Sequence, residues 1–452
     1  MRSLLVGPVA PWHGLGGAKD LPVPAPLAIA GGTAALIVSF CVLVLAWRRP
    51  RYADPLSAPR RGHPVPGGLA RVLDSSGWAW ALRLLGLLLT GWFVWALVAG
   101  PDLVTNPVFG SFYVLLWVGI VPASLLFGRI FRAMSPVRTL NLLFARATGG
   151  DPSRGVTAYP ARLGSWPAAV ALFAFVWLEL VNPHSAYLGP VRTWLAVYFA
   201  VMLIGSAVFG ETWLSHADPF EAYSDLLAKL SPWGRRPDGT LVWRSPLANL
   251  ATLPAVPGLV AAVGVLFGST AFDSYKDTTR WVKLVNDLGG NTELLNTAAL
   301  LGFCAIIAVS FTVATRTTSV DPDSGPEHRR LPMLFAHSVV PIVVGYMTAH
   351  YLSYFVEQGQ MTLVQLSDPM VKGQNLLGTA NWSVSYWLSY HPTTLANIKV
   401  LAVVAGHIVG VVAAHDRALE LLPRRHQVVG QLGLLVIMVA YTATGLYLLF
   451  GS

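Results

Sequence analysis

The chain has 452 residues, of which 54% are hydrophobic and only 12% are charged, and its formal net charge is +9. So small a polar fraction excludes a soluble globular enzyme of this length and indicates a multi-pass membrane protein. The two cysteines, Cys41 and Cys304, lie far apart in apolar runs and support neither a disulfide framework nor a thiolate metal site. The basic residues lie in loops beside apolar runs, which argues against a nucleic-acid partner and for a lipid bilayer.

Ten apolar runs approach the roughly 20 residues that a bilayer-crossing helix needs. We therefore predict an all-α fold, a polytopic helix bundle with about ten transmembrane helices and short amphipathic cytoplasmic helices. Residues 1–25 are predicted to form an extracytoplasmic tail, and residues 26–452 a single transmembrane domain. The ten predicted spans are residues 26–47, 78–99, 107–127, 165–181, 191–209, 256–272, 292–315, 331–356, 393–414 and 430–450.

The loops between these spans alternate in basic content. Loops after spans one, three, five, seven and nine hold 6, 6, 4, 3 and 3 Lys or Arg. Loops after spans two, four, six and eight hold 0, 1, 3 and 1 when Arg192 is counted with the fourth loop. Because basic loops stay in the cytoplasm, we expect a plasma-membrane protein with both termini outside.

Two cytoplasmic loops contain a short internal similarity. Phe127-Gly128 matches Phe209-Gly210, and Ser135-Pro136 matches Asp218-Pro219 as an N-cap followed by proline at the first helical position. Each match opens a short amphipathic pattern, residues 137–146 and 220–229, which predicts a helix along the inner membrane face. Two similar units are therefore expected.

The eighth span carries ionisable residues, which are costly inside a membrane and mark candidate sites. His350, Tyr354 and Glu357 fall at helical positions i, i+4 and i+7 and share one face near its outer end. Such a group could bind a metal or handle a proton. The alternative is an interfacial cap, with Tyr354 and His350 at headgroup level and Glu357 in water.

Other outward residues could complete a metal site if the spans adjoin. They are His391 before span nine, Glu179 and His184 after span four, and Asp273 after span six. Three histidines, His350, His391 and His184, together with a carboxylate would suit zinc or another borderline divalent ion.

The inner half of the bundle suggests two further functions. His337 and His407 lie at similar predicted depth and, with His350 and His391, form two levels of histidine that could ligate haem b. Lys399 in span nine suggests a transporter, because a buried cation needs a counter-ion or a substrate. Snorkelling of Lys399 towards the outer interface explains it equally well.

Polar clusters on the cytoplasmic side have simpler explanations. Asp218 and Glu221 fit a capping box, and two segments, His415-Asp416-Arg417 and Arg424-Arg425-His426, fit attachment to anionic lipid. The sequence contains no Walker loop, dinucleotide fingerprint, HExxH, GxSxG or CxxCH motif. Nucleotide-driven transport and a serine-hydrolase elbow are therefore not expected.

Several segments, spread over nearly the whole chain, resemble a family of actinobacterial multi-pass membrane proteins labelled fenitrothion hydrolase. The resemblance implies a membrane-bound hydrolase that cleaves the aryl ester bond of an organophosphorus triester, a small apolar substrate. The segments are HGLGGAKDLP (13–22), SPVRTLNLLFA (135–145), ADPFEAYSDLLAKLSPWGRR (217–236), VLFGSTAFDS (265–274), AHSVVPIVVGYMTAHYLSYFVEQGQ (336–360) and GHIVGVVAAHDRALELLPRRHQ (406–427).

The implied chemistry needs an activated water and a group that polarises the phosphoryl oxygen. His350, His391 and His184 could hold a metal, while Glu357, Glu179 or Asp273 could act as base, and Tyr354 could donate to the oxyanion. Three classes therefore stay open: a hydrolase, a haem- or metal-binding redox protein, and a small-molecule or ion transporter.

Overall fold

The computed structural model describes residues 17–52, 61–318 and 326–450, so most of the predicted N-terminal tail lies outside it. The described chain is an all-α membrane protein, as predicted from composition. Seven helices are long and apolar enough to cross a membrane. An eighth span is present if two segments, Pro107–Val118 and Ile120–Phe127, which meet at an angle of 41°, count as one.

The first half of the chain alternates long helices with short ones. Residues Gly110–Val118 form a π-helical continuation of α4. The helices are α1 (Ala25–Ala46), α2 (Gly67–Leu73), α3 (Ser76–Ala99), α4 (Pro107–Phe109), α5 (Ile120–Phe127), α6 (Ile130–Met134), α7 (Pro136–Ala147), α8 (Trp166–Leu180), α9 (Leu188–Phe209), α10 (Glu211–Ala217) and α11 (Pro219–Leu227).

The second half contains the longest helices. A 3₁₀ turn, Ala336–Val339, joins α16 to α17. The helices are α12 (Pro246–Leu250), α13 (Leu259–Lys276), α14 (Thr279–Leu288), α15 (Thr292–Arg316), α16 (Leu331–Phe335), α17 (Val340–Gln365), α18 (Trp387–Tyr390), α19 (Pro392–Leu421) and α20 (Leu432–Phe450).

All ten predicted spans are helical, but two do not qualify as full spans by length and composition. Helix α8 has only 15 residues. Helix α13 has 18 residues, and its last turn carries Asp273 and Lys276, which lower its apolar character. Hydropathy therefore located every long helix, while the number that is long and apolar enough to cross a membrane is seven or eight among the described residues.

The loops after the odd-numbered spans gather at one end of the bundle, which we call the basic end. A small antiparallel sheet joins two of them: β1 (His63–Pro64) and β2 (Trp233–Arg235) flank β3 (Leu241–Trp243). Arg235 on β2 pairs with Asp74, and this hydrogen bond lowers the pKa of the Asp74 carboxyl. Residues 61–75 and 210–258 therefore lie at the same end of the bundle. That this end faces the cytoplasm stays a prediction.

At the same end, His415, Asp416 and Arg417 are buried, so the expectation that they bind lipid is wrong. The Asp416 carboxylate accepts hydrogen bonds from Trp47 Nε1 at 2.9 Å and from the backbone N–H of Tyr52 at 2.8 Å. These contacts tie the end of α1 to α19.

The two predicted similar units share the same local geometry. Gly128 and Gly210 have φ angles of 72° and 69°, which glycine adopts easily, and they are the C-caps of α5 and α9. A short helix follows, α6 or α10, and then a second one, α7 or α11, starts with an N-cap and a proline. We call residues 128–147 the first elbow and residues 210–227 the second elbow.

Both elbows fold back between the long helices. Met134 at the end of α6 lies against the middle of α3, where a Cβ on Gly86 would lie only 1.9 Å from the Met134 carbonyl oxygen. Asp218 Oδ2 accepts a hydrogen bond of 2.9 Å from the hydroxyl of Tyr198. Tyr198 precedes the end of α9 at Phe209 by about three turns, or about 16 Å. Helix α10 therefore runs back alongside α9.

This depth corrects two expectations about the second elbow. Helix α11 does not lie along the membrane face, because Phe220, Glu221 and Tyr223 are almost fully buried. Asp218 is the N-cap, since it accepts from the N–H groups of Phe220 and Glu221. The Glu221 side chain, however, bonds to arginines of the first elbow, so the predicted capping box is wrong.

The two elbows meet through a buried ion pair at equivalent positions. Arg138 and Glu221 are each the third residue of their helix, α7 and α11, and are 8% and 0% exposed. Arg138 Nε and Nη2 donate to the two Glu221 oxygens at 2.5 and 2.7 Å. Arg132 adds a third bond to Glu221 at 2.8 Å, and Glu211 accepts from Arg138 at 3.1 Å.

Breaking this ion pair should destabilise the protein strongly. We expect Glu221→Gln to lower the free energy of unfolding by about 3–5 kcal/mol, because Arg138 would stay buried without its carboxylate. The measurement is the unfolding transition of the purified protein in detergent. Glu211→Gln is the matched control, since Glu211 is 35% exposed and its loss should cost much less.

A double variant separates the ion pair from the general packing of the elbows. Replacing both partners by apolar residues, Arg138→Met with Glu221→Leu, leaves no unpaired buried charge at either position. The double variant should therefore be more stable than Glu221→Gln alone. If it were less stable, the pair would not be the cause of the loss.

Candidate functional site

The site lies where the last turn of α13 meets the middle of α17. Helix α13 is buried from Ala262 to Asp273 and packs against α8, α15 and α17. Helix α17 in turn packs closely against α19, where a Cβ on Gly345 would lie 2.4 Å from the Ala402 carbonyl oxygen. Small residues at helix contacts allow such close approach in membrane proteins, and this packing fixes the side chains of α17 opposite α13.

Asp273, His350 and Ser274 form one hydrogen-bonded group. His350 Nε2 lies 2.8 Å from Asp273 Oδ2, and His350 Nδ1 lies 3.1 Å from Ser274 Oγ. Asp273 and His350 are only 5% and 4% exposed. In such an arrangement the carboxylate orients the imidazole. The imidazole can then act as a base towards the hydroxyl, which is a potential nucleophile.

Three more side chains complete this group. The Tyr351 hydroxyl donates to Asp273 Oδ2 at 2.7 Å, and Lys276 Nζ lies 3.3 Å from Asp273 Oδ1. The Tyr346 hydroxyl donates to Ser274 Oγ at 2.9 Å. Asp273 thus faces an imidazole, a phenol and an ammonium group, which compensate its buried charge. We call these six residues, Asp273, Ser274, Lys276, Tyr346, His350 and Tyr351, the Asp273 cluster.

Glu179 and Tyr354, both predicted as catalytic residues, border the Asp273 cluster. The charge of Glu179 interacts with those of Asp273 and Lys276, and the phenol of Tyr354 interacts with Glu179 and Asp273. Oε2 of Glu179 is buried and has no hydrogen-bond partner among the described residues. The structure therefore brings His350, Asp273, Glu179 and Tyr354 into one region.

Glu357 has a different environment from the one expected. It is 1% exposed and accepts hydrogen bonds from the backbone N–H of Ser389, at 3.1 Å, and from the Ser389 hydroxyl. It is neither in water nor bonded to His350. Glu357 instead anchors the segment that contains α18 to the C-terminal half of α17.

The predicted metal group is not present. His391 is exposed, stacks on Trp387 at 4.3 Å and lies 2.7 Å from the Trp387 carbonyl oxygen through Nδ1. His184 is exposed in the turn after α8, and its ring contacts Tyr187. Neither histidine joins His350, and no three His, Cys, Asp or Glu side chains of the described chain are grouped as a metal site requires.

His337 and His407, which were predicted to lie in the inner half, also do not fit axial ligation of haem. His337 Nδ1 and Nε2 lie 3.0 and 3.3 Å from the carbonyl oxygens of Leu334 and Ala413. His407 Nδ1 lies 2.8 Å from the Val403 carbonyl oxygen, while its Nε2 is buried without a partner in the described chain. His350 is held by Asp273. A cavity lined by α13, α15 and the turn Ala336–Val339 measures about 10 Å³, a volume that suits a water molecule.

Lys399 is buried, at 2% exposure, and its charge interacts with that of Asp20 in the 3₁₀ turn Ala18–Asp20. That turn packs against α19. The Asp20 carboxylate thus supplies part of the counter-charge that Lys399 was expected to need. Because its side chain is buried within the protein, Lys399 does not extend along the lipid towards the interface.

Ser274, Tyr351 and Lys276 were not predicted from the sequence. A weak signal was present, because Asp273, Ser274 and Lys276 stand together in the last turn of an otherwise apolar helix. Serine inside such helices usually bonds to its own backbone, and the Ser274 hydroxyl indeed lies 3.0 Å from the Thr270 carbonyl oxygen. Its proximity to His350 follows only from the packing of α13 against α17.

Comparison of the chain with protein-family profiles, with curated proteins and with solved structures gives no match. The fold and the site therefore rest on the chain's own sequence and structure.

The different environments of His350 and His391 lead to a direct test. We expect His350→Ala to lower the free energy of unfolding by about 2–4 kcal/mol, because Asp273 loses a buried partner. His391→Ala should change it by less than about 0.5 kcal/mol, since His391 is exposed. Unfolding of both variants in the same detergent measures this difference, and equal effects would contradict the geometry.

Proposed function

We propose that this chain is a membrane-bound hydrolase of small apolar esters, in which Asp273, His350 and Ser274 perform the acid and base steps. The observation that carries the proposal is the pair of contacts of the His350 ring, 2.8 Å to Asp273 and 3.1 Å to Ser274. A base oriented by a carboxylate and adjacent to a hydroxyl is a recurring feature of acyl and phosphoryl hydrolases on unrelated folds.

The proton positions define the roles of the three residues. In one arrangement the Ser274 hydroxyl donates to the Thr270 carbonyl oxygen, and its oxygen faces His350 Nδ1. In the other arrangement the hydroxyl donates to His350 Nδ1, while His350 Nε2–H donates to Asp273. Only the second arrangement lets His350 take the proton of Ser274, and Asp273 then stabilises the resulting imidazolium.

The substrate class comes from the family resemblance described above. In a neutral organophosphorus triester, Ser274 Oγ would attack phosphorus, the bond to the aryl oxygen would break, and His350 would return the proton to the departing aryloxide. Water would then release the phosphoryl group from Ser274 with His350 again as base. Lys276 and Tyr354, which border Asp273, are the candidates to stabilise charge that develops on the phosphoryl oxygen.

The test is release of a nitrophenol from a chromogenic phosphotriester by purified protein reconstituted in lipid. We expect Ser274→Ala, His350→Ala and Asp273→Asn each to lower kcat/KM by at least about a hundredfold, because each removes one member of the acid and base group. His391→Ala and Ser338→Ala are the controls, since both residues lie outside the Asp273 cluster.

Two results would overturn the proposal. One is the absence of hydrolysis of phosphotriesters and carboxylic esters by the folded wild-type protein. The other is hydrolysis that the three substitutions leave unchanged.

A second candidate, proton or cation transport, has one observation in its favour. Glu179 presents a buried carboxylate oxygen without a partner in the described chain, next to the charges of Asp273 and Lys276. Ionisable side chains in such positions often belong to ion pathways.

Transport is tested separately from hydrolysis. A transporter predicts ion flux into proteoliposomes that Glu179→Gln abolishes and Ser274→Ala leaves intact. A hydrolase predicts the reverse dependence on Ser274, so the two functions are distinguished by the same pair of variants.

A further inference from the structure

Two arginines flank one tryptophan where α3 begins and α7 ends. The guanidinium carbon of Arg83 lies 5.4 Å from the centre of the Trp80 ring, and that of Arg146 lies 5.2 Å from it. Trp80 and Arg83 are three residues apart on α3 and so share a face, while Arg146 comes from the last turn of α7. Packing of α7 against α3 brings the two charges to one indole.

Neither arginine forms an ion pair within the described chain, unlike the arginines of the elbows. Their mutual repulsion is offset in part by the indole face, with each cation–π contact contributing on the order of 0.5–1 kcal/mol at an exposed site. Two guanidinium groups beside one indole, with no carboxylate partner in the described chain, leave planar N–H donors available for an anion, and phosphate matches such donors well.

The surroundings of these arginines are apolar and point outward. Leu84 and Leu143 are 53% and 41% exposed, and Phe144 is 59% exposed. In a protein that spans a membrane, such exposed apolar side chains beside a helix end contact acyl chains. The site therefore combines a cationic part with an apolar part. These two parts complement the anionic headgroup and the hydrocarbon chains of a phospholipid.

We propose that Arg83, Trp80 and Arg146 form a binding site for the phosphate group of an anionic phospholipid. In this site the headgroup phosphate accepts hydrogen bonds from the guanidinium groups beside Trp80, and the acyl chains pass along Leu84, Leu143 and Phe144. Basic pockets between membrane helices bind anionic headgroups in this way. The lipid would hold α7, and with it the first elbow, against α3. This site is independent of the proposed hydrolase activity.

The experiment measures lipid binding to the full-length protein in detergent by native mass spectrometry. The probes are phosphatidylglycerol and phosphatidylcholine, which share the phosphate and acyl chains and differ in net charge. Wild-type protein should retain phosphatidylglycerol preferentially. The double variant Arg83→Gln/Arg146→Gln should weaken its affinity for phosphatidylglycerol about 20- to 30-fold, at about 1 kcal/mol for each arginine.

The control variant is Arg154→Gln, which removes one positive charge from an exposed residue that already pairs with Asp151. It should bind phosphatidylglycerol like the wild type. Arg83→Lys/Arg146→Lys keeps the charge and the fold but loses the planar donors, and should give an intermediate affinity.

Three results would overturn the proposal: equal binding of the two lipids, wild-type binding by the Gln double variant, and an equal loss in Arg154→Gln. Inorganic phosphate is added as a competitor in the same assay. It should not displace the lipid at millimolar concentration, because it lacks the acyl-chain contacts, and full displacement would identify a site for free phosphate instead.

Discussion

The buried contact between Arg138 and Glu221 is the interaction on which the central part of this bundle depends. Moving two charges out of water costs several kcal/mol for each ion, and only good geometry with additional hydrogen bonds recovers that cost. Here both carboxylate oxygens receive Arg138 donors, and Arg132 and Glu211 extend the network. The network lets two polar, non-spanning elbows pack between long apolar helices, while Ser135 and Asp218 satisfy backbone N–H groups at the starts of α7 and α11. The equivalent positions of the partners indicate that the two elbows are variants of one structural unit.

The second elbow also connects this network to the Asp273 cluster. Tyr223, two residues after Glu221, is fully buried, and its ring lies 4.7 Å from Trp117, which in turn lies 4.6 Å from Phe175. Glu179 follows Phe175 by one turn of α8 and interacts electrostatically with Tyr223. A buried group of tilted aromatic rings therefore connects the ion pair to the carboxylate beside Asp273. Because close-packed interiors transmit strain, a change in α11 should reach Glu179 more readily than a change in the lipid-facing helices.

Hydropathy predicted the position of every long helix, and the cost of burying charge singled out His350, Asp273 and Glu179, which the structure brings into one region. The same reasoning grouped Glu357 with His350 and Tyr354, because their spacing places all three on one face of the helix. Contact with Ser389 gives Glu357 a different partner, and only tertiary packing supplies that information. The sequence predicted α11 as a surface helix, but the structure buries it. An amphipathic pattern is shared by helices that lie on a membrane face and by buried helices whose polar side contacts other polar side chains. The polar face of α11 meets arginines and not water, which periodicity alone does not distinguish.

The proton positions at Ser274 connect the local structure to any chemistry at this site. A serine hydroxyl has one proton, and two acceptors compete for it here, the Thr270 carbonyl oxygen and His350 Nδ1. Tyr346 donates to the same oxygen, which has two lone pairs and can accept this hydrogen bond in either arrangement. Asp273 favours the tautomer of His350 that carries its proton on Nε2, and in that tautomer Nδ1 can only accept. The carboxylate thus favours transfer of the Ser274 proton towards the imidazole, although it lies on the opposite side of the ring.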